Sequence, residues 1–304
     1  MQSITMGAQS SLLPEDLSPV SFAVIESGNL SLTFVDNQRY GQDHRAGYNG
    51  IAEMTHAEQD SSIFVPQYAG FNLEHIFGGD SLIELFEPRK FPMKVFQPDR
   101  DQVWLYQAPT PLSQMETLTK FKVSAPHYID VVFRCVVHSD AFFTHDYAGL
   151  FWASYIHNPS DKRIYFYGKE TNEEHSKWIK AFSEEHGVNS THVADRKDGT
   201  FYFAPNFNAR LASHFSNYQF EDPFYFGRFH NMVLAYLFDT EEVIRFSQSP
   251  TGGGPLNPAW DFQFLIPEFS VGQEYSFQAR MVYKPFIDAA DIRNEYRGWK
   301  NSLH

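Results

Sequence analysis

Short apolar segments separated by turn residues recur along most of the chain. The segment Leu30–Phe34 (LSLTF) alternates apolar and polar side chains, as expected for a strand with one buried face. A Ser-Gly-Asn turn separates it from the apolar segment 20–26, so we predict a β-hairpin over 20–36. About fourteen strand-like segments at roughly ten-residue spacing favour an all-β sandwich or barrel over alternating strands and helices.

So many strands must close their edges, and two curved, packed sheets achieve this. We therefore predict an all-β fold, in which a large antiparallel sandwich of two curved sheets carries one or two peripheral helices. Residues 20–304 should form a single domain, and the polar, Ser-rich residues 1–19 a loosely ordered leader.

Two segments carry helical signals. Thr171 and Glu174 form a capping-box pattern, which predicts a helix over 171–186. Apolar residues at helical spacing predict a second helix over 288–303, placed as a C-terminal cap on the sheets.

The composition agrees with a β-rich protein and excludes some partners. The 30 Phe and 16 Tyr suit the pleated, half-buried surface of a sheet. A net charge of -13 argues against binding to the nucleic-acid backbone, which requires a basic face, and against attraction to anionic lipid. No apolar run approaches the length of a membrane span, so we predict no nucleic-acid or membrane partner.

The compartment is predicted from two weaker signals. Cys135 is a single cysteine within an apolar segment, which indicates a core residue rather than a disulfide or a nucleophile. The N-terminal residues lack the charged start and apolar core of a signal peptide, so we expect a cytoplasmic protein. The oligomeric state is left open.

The stretch Asn72–Asp80 has the composition of a functional site. Glu74 adjoins His75, and a neighbouring carboxylate can orient an imidazole or change its pKa. Gly78 and Gly79 would allow the main chain to approach a ligand closely. The alternative is that the two glycines form an ordinary turn and that the histidine is half-buried and structural.

A second site-like stretch, residues 44–50, follows the predicted hairpin. It combines His44, Arg45, Tyr48 and Asn49, an imidazole, a cation, a phenol and an amide, where an ordinary connection would carry Ser, Asp and Lys.

Further candidates are histidines beside charged residues and aromatic residues that could stack on a sugar. Aromatic rings cover the apolar C–H faces of sugars while the hydroxyls need polar partners, although most large aromatic residues of a β protein are core residues. These candidates are His145, His230, Arg228, Arg245, Trp152, Tyr155, Trp260 and Asp261.

A cofactor is not predicted. A divalent metal remains possible through Glu74, His75, His44 and either His145 or Asp146, but the sequence has no compact metal motif. The Gly-rich segment 249–255 matches neither a P-loop nor a dinucleotide-binding motif.

The order of these features resembles the galactose mutarotase-like superfamily, whose aldose epimerases form a β-supersandwich. The resemblance lies in the opening hairpin with His44-Arg45 at its exit, in the segment from His75 to Gly78-Gly79, and in the Asn257-Pro258 turn before the last strands. It implies that Arg45 contacts sugar hydroxyls and that His75 binds sugar or transfers a proton. The family's catalytic Glu would precede the Asn turn, where this sequence has Arg245.

We therefore predict a carbohydrate-active enzyme of epimerase, isomerase, lyase or glycosidase type, whose ligand is a mono- or oligosaccharide. His75 with His145 or His230 would exchange protons, Glu74 would orient an imidazole, and Arg45 with Arg228 would bind hydroxyls or the carboxylate of a uronate. Hydrolysis would instead require paired acids, for which the candidates are Glu74, Asp146 and Asp261. The alternative is a sugar-binding or assembly module without catalysis.

Overall fold

The computed structural model describes residues 12–79, 85–194, 201–203, 210–241 and 243–303. Residues 1–11 of the predicted leader and Asp80 of the glycine-containing stretch lie outside these ranges. Among the described residues, no helix is long and apolar enough to span a membrane.

Strands dominate the described residues, and the helices among them are short or peripheral. The strands are β1 Phe22–Ser27, β2 Leu30–Val35, β3 Gly50–His56, β4 Asn72–Phe77, β5 Met93–Asp99, β6 Gln102–Gln107, β7 Met115–Ser124, β8 Tyr128–Val137, β9 Tyr147–Ala153, β10 Ile164–Glu170, β11 Lys177–Ala181, β12 Thr191–Val193, β13 Phe215–Phe220, β14 Phe224–Phe229, β15 Met232–Phe238, β16 Ile244–Ser249, β17 Ala259–Pro267 and β18 Glu274–Pro285. The helices are α1 Glu87–Lys90, α2 Arg210–Ser213 and α3 Ala289–Ser302.

The strands form one small and one large sheet. The small sheet has the order β1-β2-β3, and its first two strands are the predicted hairpin. The large sheet has the order β4-β9-β17-β16-β12-β13-β10-β14-β15-β18-β8-β7-β6-β5, with β11 paired to β10. Its pairs are antiparallel except for β12 with β13. The predicted all-β class is confirmed.

One predicted helix is wrong. The segment 171–186 contains strand β11, which pairs antiparallel with β10 from Gly168↔Lys177 to Ile164↔Ala181. Residues 171–176 form the connection between the two strands. Ile179 and Ala181 are buried, whereas Phe182, directly after the strand, is 46% exposed. Period-two burial along β11 and pairing with β10 therefore outweigh the capping-box signal.

The predicted C-terminal helix is confirmed as α3. Asp288 caps its N-terminus by accepting a hydrogen bond of 2.8 Å from the Asp291 backbone N–H. Ile292, Tyr296 and Trp299 point inward from successive turns and pack on an outer apolar cluster that includes residues of β14 and β15. The helix thus covers a face of the large sheet.

The large sheet is apolar on both faces around β9 and β17. Trp152 and Phe262 belong to the main core, where their rings stack at 4.9 Å with an interplanar angle of 3°. Phe151 and Leu265 point to the opposite face and belong to a second apolar cluster. Successive side chains of a strand face opposite sides of a sheet, so both faces are covered in this region. Strand β4 lies at the end of the sheet, beside β9.

His192 is a buried histidine that links stability to pH. It is 1% exposed, its Nδ1 lies 2.6 Å from Ser216 Oγ, and its Nε2 lies 3.2 Å from the Gln248 amide nitrogen. Burial lowers its pKa from the ordinary 6.5 to about 3. The unfolded chain therefore binds a proton that the folded chain excludes, and the stability contributed by the neutral imidazole is lost as pH falls from 6.5 towards 3.

We predict that stability falls by about 2 kcal/mol between pH 7 and pH 5 through His192 alone, since one pKa unit corresponds to about 1.4 kcal/mol. Urea unfolding at a series of pH values measures this slope. His192→Gln should flatten it by about one proton. The control is His175→Gln at an exposed position, which should keep the parental slope. Identical slopes for the parent and His192→Gln would contradict the prediction.

Candidate functional site

A buried carboxylate on the terminal strand of the large sheet organises the candidate site. Glu74 of β4 is 6% exposed. Its Oε1 accepts hydrogen bonds from the Tyr155 hydroxyl at 2.7 Å and from Arg89 Nη1 at 2.9 Å. A carboxylate removed from water requires such partners, because its desolvation is otherwise costly. These two partners fix the position of this acid.

Helix α1 carries the cation, and polar contacts from distant segments fix the helix. The Glu87 carboxylate accepts a hydrogen bond of 2.6 Å from the Leu112 backbone N–H. The Pro88 carbonyl accepts hydrogen bonds from the side-chain amides of Asn37 at 3.0 Å and Gln107 at 2.9 Å. Four helical residues cannot persist in water by themselves, so these contacts determine where the helix lies.

The Arg89 side chain is held on several sides. Its Nε donates to the Gly47 carbonyl at 2.8 Å, and its guanidinium carbon lies 4.0 Å from the centre of the Tyr48 ring and 5.0 Å from that of Phe86. Guanidinium groups stack favourably on aromatic rings while their N–H groups remain in plane for hydrogen bonds. Arg89 thereby joins the loop between β2 and β3 to strand β4.

Three tyrosines form an aromatic group beside this cation. The ring centres of Tyr48 and Tyr68 lie 4.7 Å apart, and that of Tyr155 lies 5.6 Å from Tyr48 and 4.8 Å from Tyr68. The exposed Arg45 approaches the Tyr68 ring to 5.9 Å, and its backbone N–H donates to the Gln67 carbonyl at 3.1 Å. The predicted site residues Arg45, Tyr48 and Tyr155 therefore belong to one group.

Asn49 positions the loop rather than facing solvent. It is 2% exposed, and its amide nitrogen donates to Asn72 Oδ1 and to the Leu73 carbonyl, each at 3.0 Å. Its own oxygen accepts from the Leu73 backbone N–H at 3.1 Å. The side chain thus pairs with the β4 backbone as another strand would, which fixes the adjacent Tyr48 over the cation.

A β-bulge allows Glu74 and His75 to contact the same region. Leu73 pairs with Trp152 and His75 with Phe151, so Glu74 is the extra residue in β4. The His75 ring is 7% exposed and lies 4.4 Å from Phe86 and 5.3 Å from Phe151 between ring centres. The histidine and the carboxylate therefore both lie next to residues of the α1 segment.

A cleft opens above this cluster. Its volume is about 470 Å³, and it is lined by Ala46, Gly47, Phe86, Arg89 and Lys90. This volume lies in the range of small-molecule sites. Phe86 is 37% exposed, so an aromatic ring and a cation face the same space.

Burial keeps the phenols of the site protonated. Burial, reinforced by the neighbouring Glu74 charge, raises the pKa of Tyr155 well above its ordinary value of 10. Burial also raises the pKa of Tyr48. Tyr155 is therefore a hydrogen-bond donor to Glu74 across the neutral pH range.

Gly78, the first of the paired glycines after β4, has a packing role. Gly78 has φ of 134°, and a Cβ atom there would lie 2.1 Å from the Tyr147 carbonyl oxygen. The Gly78 carbonyl accepts a hydrogen bond of 3.0 Å from the His145 backbone N–H. Glycine is required here because two backbone segments approach closely.

Four predicted ligand contacts lie in the interior rather than at the cleft. Trp152 and Trp260 are 1% and 0% exposed within the main core. Arg245 is 0% exposed, and its guanidinium carbon lies 4.9 Å and 5.2 Å from the ring centres of two phenylalanines, Phe201 and Phe215. Asp261 is 1% exposed and accepts a hydrogen bond from the Ser154 backbone N–H at 3.1 Å; burial raises its pKa well above the ordinary value.

The remaining predicted site residues lie outside the group around Glu74 and Arg89. His145 packs on Tyr202 with ring centres 4.5 Å apart. His230 is exposed in the turn between β14 and β15, and Arg228 lies 4.3 Å from the Phe286 ring. His44 is buried at the start of the loop, and burial lowers its pKa. None of these residues contacts Glu74 in any interaction described above.

Sequence reasoning missed Arg89, Tyr68, Phe86 and Lys90. A signal for α1 was present, because Pro88 stands at the first turn of a helix and is followed by two basic residues. A helix of four residues has no apolar period, however, so nothing in the sequence indicated that its cation would face Glu74.

A metal site is not formed by the described residues, in which no three His, Cys, Asp or Glu side chains cluster suitably. The predicted set of Glu74, His75, His44 and His145 or Asp146 therefore does not converge there.

Comparisons with known proteins place the fold. No model of a known family matches the sequence, and no curated protein matches it significantly. Among solved structures, a candidate aldose 1-epimerase from Escherichia coli K12 is 8% identical with a TM-score of 0.51, covering 87% of this chain and 99% of that one. A GalM/aldose epimerase homologue from C. elegans is 7% identical with a TM-score of 0.50, covering 88% and 99%. The chain has a galactose mutarotase-like fold. A mutant of the heparan sulfate lyase HepC from Pedobacter heparinus is 10% identical with a TM-score of 0.44, covering 91% of this chain and 38% of that one.

We predict that Glu74→Gln lowers the free energy of unfolding by about 2–3 kcal/mol. Breaking a buried ion pair costs about 3–5 kcal/mol, and the partial exposure of Arg89, 20% of its side chain, reduces this cost. Urea denaturation measures the change. The matched control is Glu274→Gln, which breaks the exposed pair with Arg134 and should cost less than about 1 kcal/mol. Equal small costs for both variants would refute the structural role assigned to Glu74.

Proposed function

We propose that the protein binds a saccharide in the cleft above Glu74 and Arg89 and acts on it by acid-base chemistry. The observation that carries this proposal is that Arg89, which lines an open cleft of about 470 Å³, binds the buried Glu74 carboxylate, to which Tyr155 also donates a hydrogen bond. The fold, which resembles that of proteins described as aldose epimerases, supports the assignment to carbohydrates.

The cleft offers the two kinds of contact that a sugar requires. The partly exposed Phe86 ring provides an apolar surface for the C–H face of a pyranose. Arg89 and the main chain of Ala46 and Gly47, which also line the cleft, provide polar partners for hydroxyls.

The proton-transfer groups would be Glu74, Tyr155 and His75. Tyr155 keeps its proton and donates a hydrogen bond of 2.7 Å to Glu74, so the carboxylate would accept the proton from the sugar while the phenol holds it in position. His75 is the adjacent titratable group. Such a set suits epimerisation, isomerisation or elimination at a sugar carbon.

Hydrolysis by two carboxylates is less well supported. Glycosidases place two acids on either side of the scissile bond. Of the other nominated acids, Asp261 is 1% exposed, and Asp146 lies in the turn before β9 with φ of 60°. Asp261 is hydrogen-bonded to the Ser154 backbone N–H, whereas Glu74 is paired with Arg89, which lines the cleft.

A sugar-binding module without catalysis is the second candidate. It is favoured by the pairing of Glu74, whose Oε1 accepts hydrogen bonds from two donors, as in a structural acid. The Tyr155→Phe variant distinguishes the two candidates, because only an enzyme would lose turnover.

We predict that Phe86→Ala weakens saccharide binding about fivefold to tenfold, because aromatic stacking contributes about 1 kcal/mol. Titration calorimetry with a panel of pyranoses and uronates measures the affinity. Phe182→Ala removes a ring that is 46% exposed in another part of the molecule, and it should leave affinity unchanged. Undiminished binding by Phe86→Ala would place the sugar elsewhere.

We further predict that Tyr155→Phe retains binding within about threefold but reduces turnover at least a hundredfold, the usual scale of general acid-base catalysis. Proton NMR of the sugar in deuterated buffer follows epimerisation, elimination and exchange at carbon in one experiment. Retained turnover would refute catalysis through Tyr155. Binding without turnover in the parent protein itself would favour the module.

A further inference from the structure

We infer that the outer edge of strand β1 binds a second copy of this chain, so that the two β1 strands pair antiparallel about a two-fold axis. Strand β1 lies at the end of the small sheet, next to β2. Its other edge has one backbone pairing among the described residues, the bridge from Val20 to Val95 that precedes the strand. This inference concerns assembly and does not depend on the binding of a saccharide.

The backbone groups of every second residue of β1 face this edge. Ser27 pairs with Leu30 across the two-residue turn between β1 and β2, and the pair that flanks such a turn is hydrogen-bonded. Bonding alternates along an antiparallel strand, so Phe22, Val24 and Glu26 direct their N–H and C=O groups away from β2. A second strand could bond to these three residues.

Other strands at the ends of the two sheets carry features that prevent such pairing. The edge of β3 is covered, because Ile51 and Gly70 exchange backbone hydrogen bonds of 2.9 and 2.8 Å. Strand β5 contains the exposed Lys94, Pro98 and a bulge, and β11 begins with the exposed Lys177. Lysine, proline and bulges are the usual protection of an edge strand. The sequence of β1, FAVIES, contains neither lysine nor proline.

Exposed apolar side chains accompany this edge. Phe22 and Val24 are 44% and 45% exposed on the outer face of β1, whereas Ala23 and Ile25 are buried in the main core. The Phe22 ring packs on Tyr40 with ring centres 4.9 Å apart, and Tyr40 lines an adjacent groove of about 460 Å³. An unprotected edge with exposed apolar side chains is typical of a surface that pairs with another strand.

Charge complementarity favours a second copy as the partner. If Val24 pairs with Val24 of the second copy, the antiparallel register places Glu26 opposite Phe22 of that copy. The groove beside Phe22 is lined by Arg39 and Lys94, which are both exposed. The Glu26 carboxylate of each copy would therefore face cations of the other, and the two-fold axis forms this contact twice.

Asp36, the acid that lines the groove, is hydrogen-bonded within its own loop. It is 7% exposed, and its Oδ1 accepts a hydrogen bond of 2.7 Å from the Gln38 backbone N–H. Burial raises the pKa of this carboxyl. The exposed charges of the groove are therefore those of the two cations.

Strand β1 is held in place before any partner binds. Before the strand, the Val20 N–H donates to the Val95 carbonyl at 2.8 Å. After it, the Asn29 N–H donates to the Pro126 carbonyl, also at 2.8 Å. An edge that is fixed at both ends loses little conformational entropy when a second strand pairs with it.

Sedimentation velocity of the full chain at about 1 to 100 µM tests the self-association. We expect a concentration-dependent dimer in the parent protein. Val24→Lys places two ammonium groups opposite each other on the axis and should weaken the dimer at least about tenfold. The matched control is Val271→Lys in the turn between β17 and β18, a position that is 48% exposed, and it should keep the parental Kd. A parent protein that remains monomeric, or a dimer that Val24→Lys leaves intact, would overturn the inference.

Cross-linking tests the register. Directly opposite residues of a hydrogen-bonded antiparallel pair have Cα atoms about 5.5 Å apart, which suits a disulfide. Val24→Cys should therefore form a covalent dimer in oxidised glutathione at least about ten times faster than Val271→Cys. The natural Cys135 is buried and does not compete. Equal rates for the two variants would exclude pairing about Val24.

The charge contact is tested by Glu26→Gln. This variant should weaken the dimer about threefold at low salt, and the difference from the parent should vanish in about 0.5 M NaCl, where exposed charges are screened. Glu58→Gln, at another exposed position, should keep the parental Kd. An unchanged Kd for Glu26→Gln at low salt would overturn the placement of Glu26 beside the cations, and with it this arrangement of the two copies.

Discussion

Burial of the Glu74 carboxylate is the constraint on which the candidate site depends. An acid on a sheet strand that is 6% exposed would be protonated or destabilising without partners. Arg89 and Tyr155 supply those partners from opposite directions, one from a four-residue helix and one from the segment after β9. The cleft is the space that remains above these three residues.

The surrounding structure positions Arg89 beside Glu74. Helix α1 is too short to hold itself, and contacts from Asn37, Gln107 and Leu112 fix it. Asn49 then ties the loop between β2 and β3 to β4. Segments far apart in sequence thus meet at β4, the strand at one end of the large sheet. Functional sites on β scaffolds are usually assembled in this way.

The fold could be predicted from the sequence because its signals are local. Alternation in Leu30–Phe34 and the apolar period of the last helix are visible within a few residues, and both elements are present. The segment 171–186 was wrongly predicted as a helix because its capping box is a local signal. The pairing of β11 with β10, which makes it a strand, is not visible in the local sequence.

The site could be predicted only in part, since Glu74, Tyr48 and Arg45 stood in unusual stretches while Arg89 did not. Trp152, Trp260 and Arg245, which were predicted to contact a ligand, are instead buried in the interior. A sequence gives the kind of side chain but does not show which face of the sheet is covered.

A crystal structure of the protein with a bound pyranose at saturating concentration tests the central claim most directly. The expected result places the sugar ring against Phe86 and a hydroxyl within hydrogen-bond distance of Arg89, with the Glu74 pair intact. A sugar bound at another surface, with the cleft above Glu74 filled only by solvent, would contradict it.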